Sequence, residues 1–381
     1  MVRPGEVAVS DISAAREIHR VGGKYLKSPW YQTLTAKGVH NLFNTNDPQF
    51  HGRHRRLLSM PMSDTSLRVV EPLVDSRIQF TIQRMKGDME RAGVVNVHKW
   101  WILMTSDIIG ELSFGESLGL LEIGKESQFI TDLKAIGMME GLNTTFPSLV
   151  KLASIFPLPF IPNVVSGGHR MVQYANEAIT RYKKQLVTNA ENPKVSLFTR
   201  LYNETADGLT DAEIRDEALS YIIAGSDTTA TSLTYLVWAV CRNPNIKTAL
   251  LEEVNSLPAD FNDQDTRQLS YLGQVINETL RLYAAAPSAL PRVVPSGGRM
   301  LAGHFVPEGI TVSTQAYSLH RDPTIFPEPD RQVHIPLQTV LLLVRPRLTL
   351  LRFNPSRWEN ATKMMKDAFM PFGGGSRSKS R

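Results

Sequence analysis

A run of small and polar residues interrupts an apolar helical pattern in the middle of the chain. Residues 211–242 follow a helical period, and residues 224–231 within them read AGSDTTAT. Glycine, aspartate and threonine each cost roughly 0.5–1 kcal/mol relative to alanine in a helix interior, so the run is poorly suited to its place. Asp227 and Thr228 form an acid–alcohol pair that could relay protons, and Ala224 and Gly225 leave room for a flat group beside the backbone. The alternative is a helix kink with locally satisfied polar groups, in which the Thr228 hydroxyl bonds back to a carbonyl one turn earlier.

Two further groups of charged residues could do chemistry. Glu278 and Arg281 share one face of a predicted helix at 272–283, and their apolar neighbours favour a buried pair over a weak surface pair. Residues 51–56 read HGRHRR. This run could be a solvated face or an anion site, because arginine forks bind carboxylates and phosphates well. The histidines at 51 and 54 could also ligate a metal, although the sequence nearby supplies no third ligand.

The elements that must position these residues are mostly helices. Residues 12–21, 69–92, 100–114 and 168–189 have helical patterns, and the helix at 211–242 begins with a capping box formed by Thr210 and Glu213. Its 32 residues would extend ~48 Å. Residues 7–10 and 290–314 predict short strands. Residues 152–165 contain three prolines, which predicts an apolar loop instead of a regular helix.

Composition narrows the class of protein. The 381 residues are 42% hydrophobic and carry a net charge of +5, which predicts a globular protein and argues against a nucleic-acid binder. Cys241 is the single cysteine, so an intrachain disulfide or a multi-cysteine metal site is excluded. No apolar stretch approaches the ~20 residues of a membrane-spanning helix.

Five motifs in one order resemble those of the cytochromes P450, the haem-thiolate monooxygenases. They are AGSDTT at 224–229, ETLR at 278–281, PR at 291–292, FNPSRW at 353–358 and FGGGSR at 372–377. Each motif alone is weakly specific, but five in order across most of the chain form a strong pattern. The resemblance is closest to membrane-bound fungal enzymes that oxidise small secondary metabolites. It implies a mainly α fold, with a long central helix and a small β region, in a single domain at 1–381 that is incomplete at both ends.

The resemblance also implies roles for individual residues. Asp227 and Thr228 would be catalytic and would deliver protons during oxygen activation. The residues implied to bind haem b are His51, Arg55, Ala224, Gly225, Arg292, Phe372 and Arg377. The residues implied to form a structural network behind the haem are Glu278, Arg281 and Arg357. A pocket is expected beside Ala224, Gly225 and Thr228, lined also by Phe114 or Val293, with Arg55 and Arg292 pointing into it.

Three departures from the family pattern matter. We expect the chain to begin inside the first sheet, without the membrane anchor and first strand of the family. Residues 331–351 interrupt a motif that is continuous in the family, and they form an aberrant insert without helical or strand periodicity. The haem-binding loop at 373–381 is truncated, and Lys379 stands at the position of the cysteine ligand, so no metal ligand is assigned. That thiolate drives O–O cleavage in the family.

Two interpretations of function follow from the resemblance. In the first, the protein is a monooxygenase that inserts one atom of O2 into a small apolar metabolite, with electrons from an NADPH-dependent reductase, at the endoplasmic-reticulum membrane. In the second, the chain is a catalytically dead remnant that lacks the thiolate. Codons for Gln332-Val333 and Ser378-Lys379-Ser380 can contain splice-donor sequences, so unspliced introns would account for both the insert and the altered loop. An apolar-ligand carrier outside the family leaves the five motifs unexplained.

Overall fold

The computed structural model describes residues 4–35, 38–146, 148, 150, 161–188 (backbone alone for 161–166), 196–199, 208–327 and 353–374. The chain divides into two compact units. Lys27–Thr231 is termed the helical unit, and Met1–Leu26 with Ser232–Arg381 is termed the sheet unit.

The helical unit consists mainly of helices. They are α2 (Pro48–Ser59), α3 (Asp64–Ala92), α4 (Val97–Phe114), α5 (Leu120–Ile123), α6 (Gln128–Thr145), α7 (Ile161–Thr188) and the first two-thirds of α8 (Asp211–Cys241), with a 3-10 turn at Pro29–Leu34. Local signals set their ends. Ser63 and Asn96 accept backbone N–H groups at the starts of α3 and α4, and Gly93 and Gly115 end these helices with positive φ angles of 69° and 70°.

The core of the helical unit lies between α4, α7 and the first half of α8. Phe114, Ala178, Phe198, Ala218 and Ile222 are almost completely buried there. The prediction that residues 100–114 are helical is confirmed: they lie in α4, which is buried on nearly all sides, as their almost continuously apolar sequence favours. Even its Asp107 is buried, where it accepts the N–H groups of Leu120 and Leu121 at the start of α5 at 3.0 and 2.8 Å.

The sheet unit combines short strands with the remaining helices. Its helices are α1 (Ile12–Ile18), the end of α8, α9 (Pro244–Val254), α10 (Asp263–Arg267), α11 (Ser270–Tyr283), α12 (Ala316–Leu319) and α13 (Lys363–Ala368). Its strands are β1 (Glu6–Ala8), β2 (Leu26–Lys27), β3 (Arg292–Val293), β4 (Arg299–Leu301), β5 (His304–Val306) and β6 (Thr311–Ser313). One sheet has the order β1-β6-β3-β2, and β4 and β5 form a hairpin. The predicted strands at 290–314 are therefore confirmed.

Strand pairing joins segments that are far apart in sequence. Strand β1 runs parallel to β6, with Val7 opposite Val312, while β3 is antiparallel to β6. Val9, Ile18, Val294 and Val312 pack into a small apolar core against this sheet. The mainly α fold with a small β region, predicted from the family resemblance, is confirmed.

Helix α8 is continuous over Asp211–Cys241, as predicted. Its capping box is present: the Thr210 N–H donates to Glu213 Oε2 at 2.7 Å, and the Glu213 N–H donates to Thr210 Oγ1 at 3.3 Å. The helix does not break at the AGSDTT run, since its neighbours offset the low propensity of those residues.

The prediction of an irregular segment over 152–165 is wrong at its end. Helix α7 begins at Ile161, so residues 161–165 are helical. Pro162 is tolerated because the second helical position has no intrahelical partner for its N–H, so proline loses no bond there. Residues 152–160 and the predicted insert at 331–351 lie outside the described residues.

Candidate active site

The middle of α8 presents two different sides. Ala224, Asp227 and Thr228 are exposed, whereas Ser226 is fully buried. The Thr228 hydroxyl donates to the Ala224 carbonyl at 2.6 Å, which is the predicted bond one turn back. On the buried side, the Thr105 hydroxyl of α4 donates to the Ser226 carbonyl at 2.8 Å. The exposed side of α8 therefore carries a carboxyl and a hydroxyl group, and the bond from Thr105 fixes the opposite, buried side to α4.

Gly225 faces helix α4. A Cβ atom placed on Gly225 would lie 3.2 Å from Cγ1 of Ile109, tighter than ordinary van der Waals contact. The absent side chain of Gly225 thus makes room for Ile109, which corrects the expectation that both Ala224 and Gly225 leave space for a flat group. The role of Gly225 beside the haem stays a prediction.

Two residues of the basic run in α2, Arg53 and His54, form hydrogen bonds and ion pairs within the helical unit. The His54 ring is fully buried, with Nδ1 2.7 Å from Glu217 Oε1 and Nε2 3.2 Å from Glu213 Oε1. Arg53 donates to Glu213 at 2.7 Å and to the Gly208 carbonyl at 2.6 Å. The alternative of a metal at His51 and His54 is therefore corrected, because both nitrogens of His54 face carboxylates of α8.

The hydrogen bonds of this cluster favour the charged form of Glu213. Burial raises the pKa of Glu213, but the hydrogen bonds from Thr210, Arg53 and His54 outweigh it and lower the pKa to about 2. His51 and Arg55 lie one turn apart on α2 and are half-buried. Their assignment to haem propionates stays a prediction. The sequence did not predict the buried contacts of His54, because its partners are about 160 residues away.

In the sheet unit, Glu278 is the centre of a buried network. Its carboxylate accepts two bonds from Arg281, at 2.9 Å each, and one from Arg357 Nε at 3.2 Å. The Trp358 indole N–H and the Asn354 backbone N–H each add a bond at 3.0 Å. Glu278 and Arg281 are fully buried. The structure thus brings together the three residues predicted from the resemblance, and adds two donors from the same FNPSRW motif.

Arg292 lies in a second buried polar cluster of the sheet unit. Its guanidinium donates to the Pro291 carbonyl at 3.1 Å. His19 is close, with Nε2 2.7 Å from the Thr314 hydroxyl. Burial, together with the positive charge of Arg292, lowers the pKa of His19 to about 3.

The first residues of the predicted haem-binding loop pack on this cluster. A Cβ atom on Gly374 would lie 2.9 Å from Cβ of His19, so only glycine fits without a shift. Phe372 is 65% exposed. Arg377 and Lys379 lie outside the described residues.

Cys241 does not provide a thiolate for this site. It is exposed and is the last residue of α8. Thirteen residues separate it from Thr228, which corresponds to ~20 Å along a helix. In the part of the chain that the structure describes, no helix is both long and apolar enough to span a bilayer.

Fold and site together define a mainly helical protein with a small sheet, a polar exposed face on its longest helix and a buried glutamate–arginine network. A family model of cytochrome P450 matches residues 3–332. The chain belongs to the cytochrome P450 family, and the family prediction is confirmed.

Curated relatives agree with this assignment. Cytochrome P450 monooxygenase azaI of Aspergillus niger is 45% identical over 377 residues, which are 99% of this chain and 80% of that protein. Cytochrome P450 monooxygenase tazI of Aspergillus terreus is 46% identical over 379 residues, 99% of this chain and 73% of that protein. Cytochrome P450 monooxygenase stcB of Emericella nidulans is 33% identical over 384 residues, 99% of this chain and 69% of that protein.

The family implies haem, O2 and a redox partner. The residues of this chain fit that cofactor except at the metal ligand. Ala224 and Thr228 are exposed and Glu278 is the centre of a buried network, but the described donor set contains no buried thiol, because the single cysteine is exposed at the end of α8. A haem-thiolate centre therefore needs a ligand that Cys241 does not supply.

Proposed function

We propose that this chain is the catalytic domain of a monooxygenase that inserts one oxygen atom of O2 into a small apolar metabolite. The observation that carries the proposal is the exposed face of α8, where Asp227 and Thr228 interrupt an otherwise well-packed helix. The two relatives from Aspergillus are named cytochrome P450 monooxygenase. An NADPH-dependent reductase as electron donor and attachment to the endoplasmic-reticulum membrane belong to the same proposal. Co-purification with such a reductase and membrane fractionation test those two parts.

Thr228 and Asp227 have complementary parts in this proposal. The Thr228 hydroxyl donates to the Ala224 carbonyl at 2.6 Å, which fixes the position of its oxygen at the helix surface. The adjacent carboxyl of Asp227 is exposed to solvent. Together the two residues place an alcohol and a carboxyl group at the helix surface, while Thr105 fixes the helix from its other side.

The second candidate, a catalytically dead form, is favoured by one observation. Lys379 stands where the resemblance places the thiolate, and the single cysteine lies elsewhere. Haem supplies the oxygen-activating chemistry in this family, and a thiolate ligand is what tunes it for O–O cleavage. The chain as printed is therefore expected to lack monooxygenase activity until that ligand is restored.

The spectrum of the reduced, CO-bound protein after haem reconstitution separates the two candidates. We expect no thiolate-ligated Soret band from the unmodified chain and a clear band from Lys379→Cys. Lys366→Cys is the matched control, because Lys366 is an exposed lysine of α13 in the same unit. No band from Lys379→Cys would contradict the monooxygenase proposal. A thiolate band from the unmodified chain would overturn the dead-form alternative.

A further inference from the structure

His320 connects the Glu278 network to the segment that leads into residues 372–374. It directly follows α12 and its side chain is fully buried. The ring stacks on Phe369, with centroids 5.4 Å apart and planes 29° apart, and meets Phe326 at its edge. Such an enclosed polar ring is stable only if both nitrogens have partners.

Two bonds join His320 to Arg281. The Arg281 guanidinium donates from Nη1 to the His320 carbonyl at 2.7 Å, and His320 Nδ1 lies 3.0 Å from the Arg281 carbonyl. Arg281 is itself held by both oxygens of Glu278. His320 is therefore attached to the buried network through Arg281.

The other nitrogen of the ring holds the backbone of a different segment. The Met370 N–H donates to His320 Nε2 at 3.0 Å. The Met370 carbonyl in turn accepts the Gly373 N–H at 3.1 Å, which closes the turn before Gly374. Gly373 has a φ of 78°, a conformation that glycine adopts readily. Both backbone polar groups of Met370 are thus occupied.

The chemistry of these partners determines the tautomer of His320. A carbonyl oxygen can only accept, so Nδ1 must carry the hydrogen that faces Arg281. A backbone N–H can only donate, so Nε2 must be unprotonated. One neutral tautomer satisfies both bonds, whereas a proton on Nε2 would break the bond to Met370.

We propose that His320 is a positioning residue. Its ring ties the backbone of Met370, at the entry of the haem-binding loop, to the buried Glu278–Arg281 network and so fixes the position of that entry. The ring acts as a two-ended connector: Nδ1 donates to helix α11 and Nε2 accepts from the loop entry. Where it concerns haem, the inference rests on the proposed function, because the loop after Gly374 is the segment expected to carry the iron ligand.

Two conservative variants separate the two ends of the connector. In His320→Asn the short amide can still donate to the Arg281 carbonyl but cannot reach Met370. In His320→Gln the longer amide can place its oxygen near the former position of Nε2. We expect the Met370 amide to exchange with solvent about tenfold faster in His320→Asn, as for the loss of one hydrogen bond, and near the parent rate in His320→Gln.

The Trp358 indole N–H is the internal control for this exchange experiment, because it reports on the Glu278 network itself. Its exchange should stay unchanged in both variants. Equal acceleration at Trp358 and Met370, or no acceleration at Met370, would overturn the proposal and leave His320 as a packing residue. Nitrogen-15 NMR of the unmodified chain tests the inference without any substitution: we expect the Nδ1–H tautomer, and the Nε2–H tautomer would contradict it.

A spectroscopic readout links the connector to the cofactor. In the Lys379→Cys background, we expect His320→Asn to reduce the thiolate-ligated fraction of the CO spectrum and His320→Gln to retain most of it. If the exchange result holds but Lys379→Cys shows no thiolate band at all, the proposed function fails and the positioning role stands. If the band is present and insensitive to His320→Asn, the role toward haem is wrong.

Discussion

Glu278 illustrates how one buried charge can organise several segments. Its carboxylate accepts five hydrogen bonds, from Arg281, Arg357, Trp358 and the backbone of Asn354. A fully buried carboxylate is stable only because its oxygens accept hydrogen bonds and its charge is balanced by guanidinium groups. The network therefore depends on charge as well as on shape.

The Glu278→Gln variant should unfold much more easily than the parent chain. The amide keeps the shape but removes the charge, and it points an N–H group at guanidinium donors. We expect the free energy of unfolding to fall by about 3–5 kcal/mol, the range for breaking a buried ion pair. Urea unfolding measures this loss. Glu252→Gln, on an exposed position of α9, is the control and should change stability by less than about 0.5 kcal/mol. A similar small effect at Glu278 would mean that hydrogen-bonding shape alone holds the network.

Two buried histidines make the fold sensitive to acid. Burial lowers the pKa of His320 to about 4, and burial with the charge of Arg292 lowers the pKa of His19 to about 3. The unfolded chain, with ordinary histidine pKa values near 6.5, binds more protons than the folded chain below that pH. The stabilisation is therefore complete above pH 6.5 and is lost as the pH falls toward 4.

We expect the free energy of unfolding to decrease by about 2–4 kcal/mol between pH 7 and pH 5 from these two groups together. The charged groups that face His320 are Arg281, Arg321 and Glu278. Burial raises the pKa of Glu140 to about 7, and this group acts in the opposite direction over the same pH range. Denaturant titrations of the parent chain and of His320→Gln at several pH values isolate the histidine contribution: the variant should lose roughly half of it, and an identical pH dependence in the two proteins would contradict the assignment.

At the scale of elements, contacts with α2 and α4 fix α8 at two points along its length, both within the helical unit. Near its start, Glu213 and Glu217 bind Arg53 and His54 of α2. In its middle, Gly225 and the Ser226 carbonyl contact Ile109 and Thr105 of α4. These contacts explain how a helix with a weak centre remains continuous.

The contact between Gly225 and Ile109 predicts a size limit at this crossing. Gly225→Val should destabilise the fold by about 1–3 kcal/mol through overpacking. Ile109→Ala should cost stability alone but recover part of the loss in the double variant, and the double-mutant cycle measures that coupling. Gly273→Ala is the control, because a Cβ there meets nothing within 4 Å and should gain up to about 1 kcal/mol of helix stability. Strictly additive effects of the 225 and 109 changes would show that the two residues do not press on each other.

At the scale of the whole molecule, the link between residues 327 and 353 bears on the predicted insert. Arg357 Nη1 donates to the Pro327 carbonyl at 2.9 Å, so the two ends of that link lie close together. Removing residues 331–351 leaves four residues, 328–330 and 352, which can span so short a gap. The deletion would also restore the continuous family motif.

Deleting residues 331–351 should leave the described fold intact and raise the free energy of unfolding by about 1–2 kcal/mol, since a shorter loop loses less entropy on closure. Thermal or urea unfolding of the deleted chain checks this. A longer deletion, 331–354, also removes Asn354, whose N–H binds Glu278, and should destabilise the fold. If the shorter deletion were equally harmful, residues 331–351 would be part of the folded core and the insert prediction would be wrong.

Local patterns in the sequence determined much of the structure of this protein. The Thr210–Glu213 capping box, the bond from Thr228 to Ala224 and the pair of Glu278 with Arg281 each join residues three or four positions apart. Such interactions depend on helical geometry alone, so a sequence can specify them. The order of the five motifs was sufficient for the family.

Tertiary structure alone decided the contacts between distant segments. His54 and Glu217 are 163 positions apart, and His320 and Met370 are 50 positions apart. No periodicity or spacing relates such residues, because their distance depends on how whole helices pack and where loops return. For the same reason the sequence suggested an open side at Gly225, whereas the structure shows that Ile109 occupies it. Side-chain pairing across elements is set by the packing of the core, and only the folded chain specifies which partners meet.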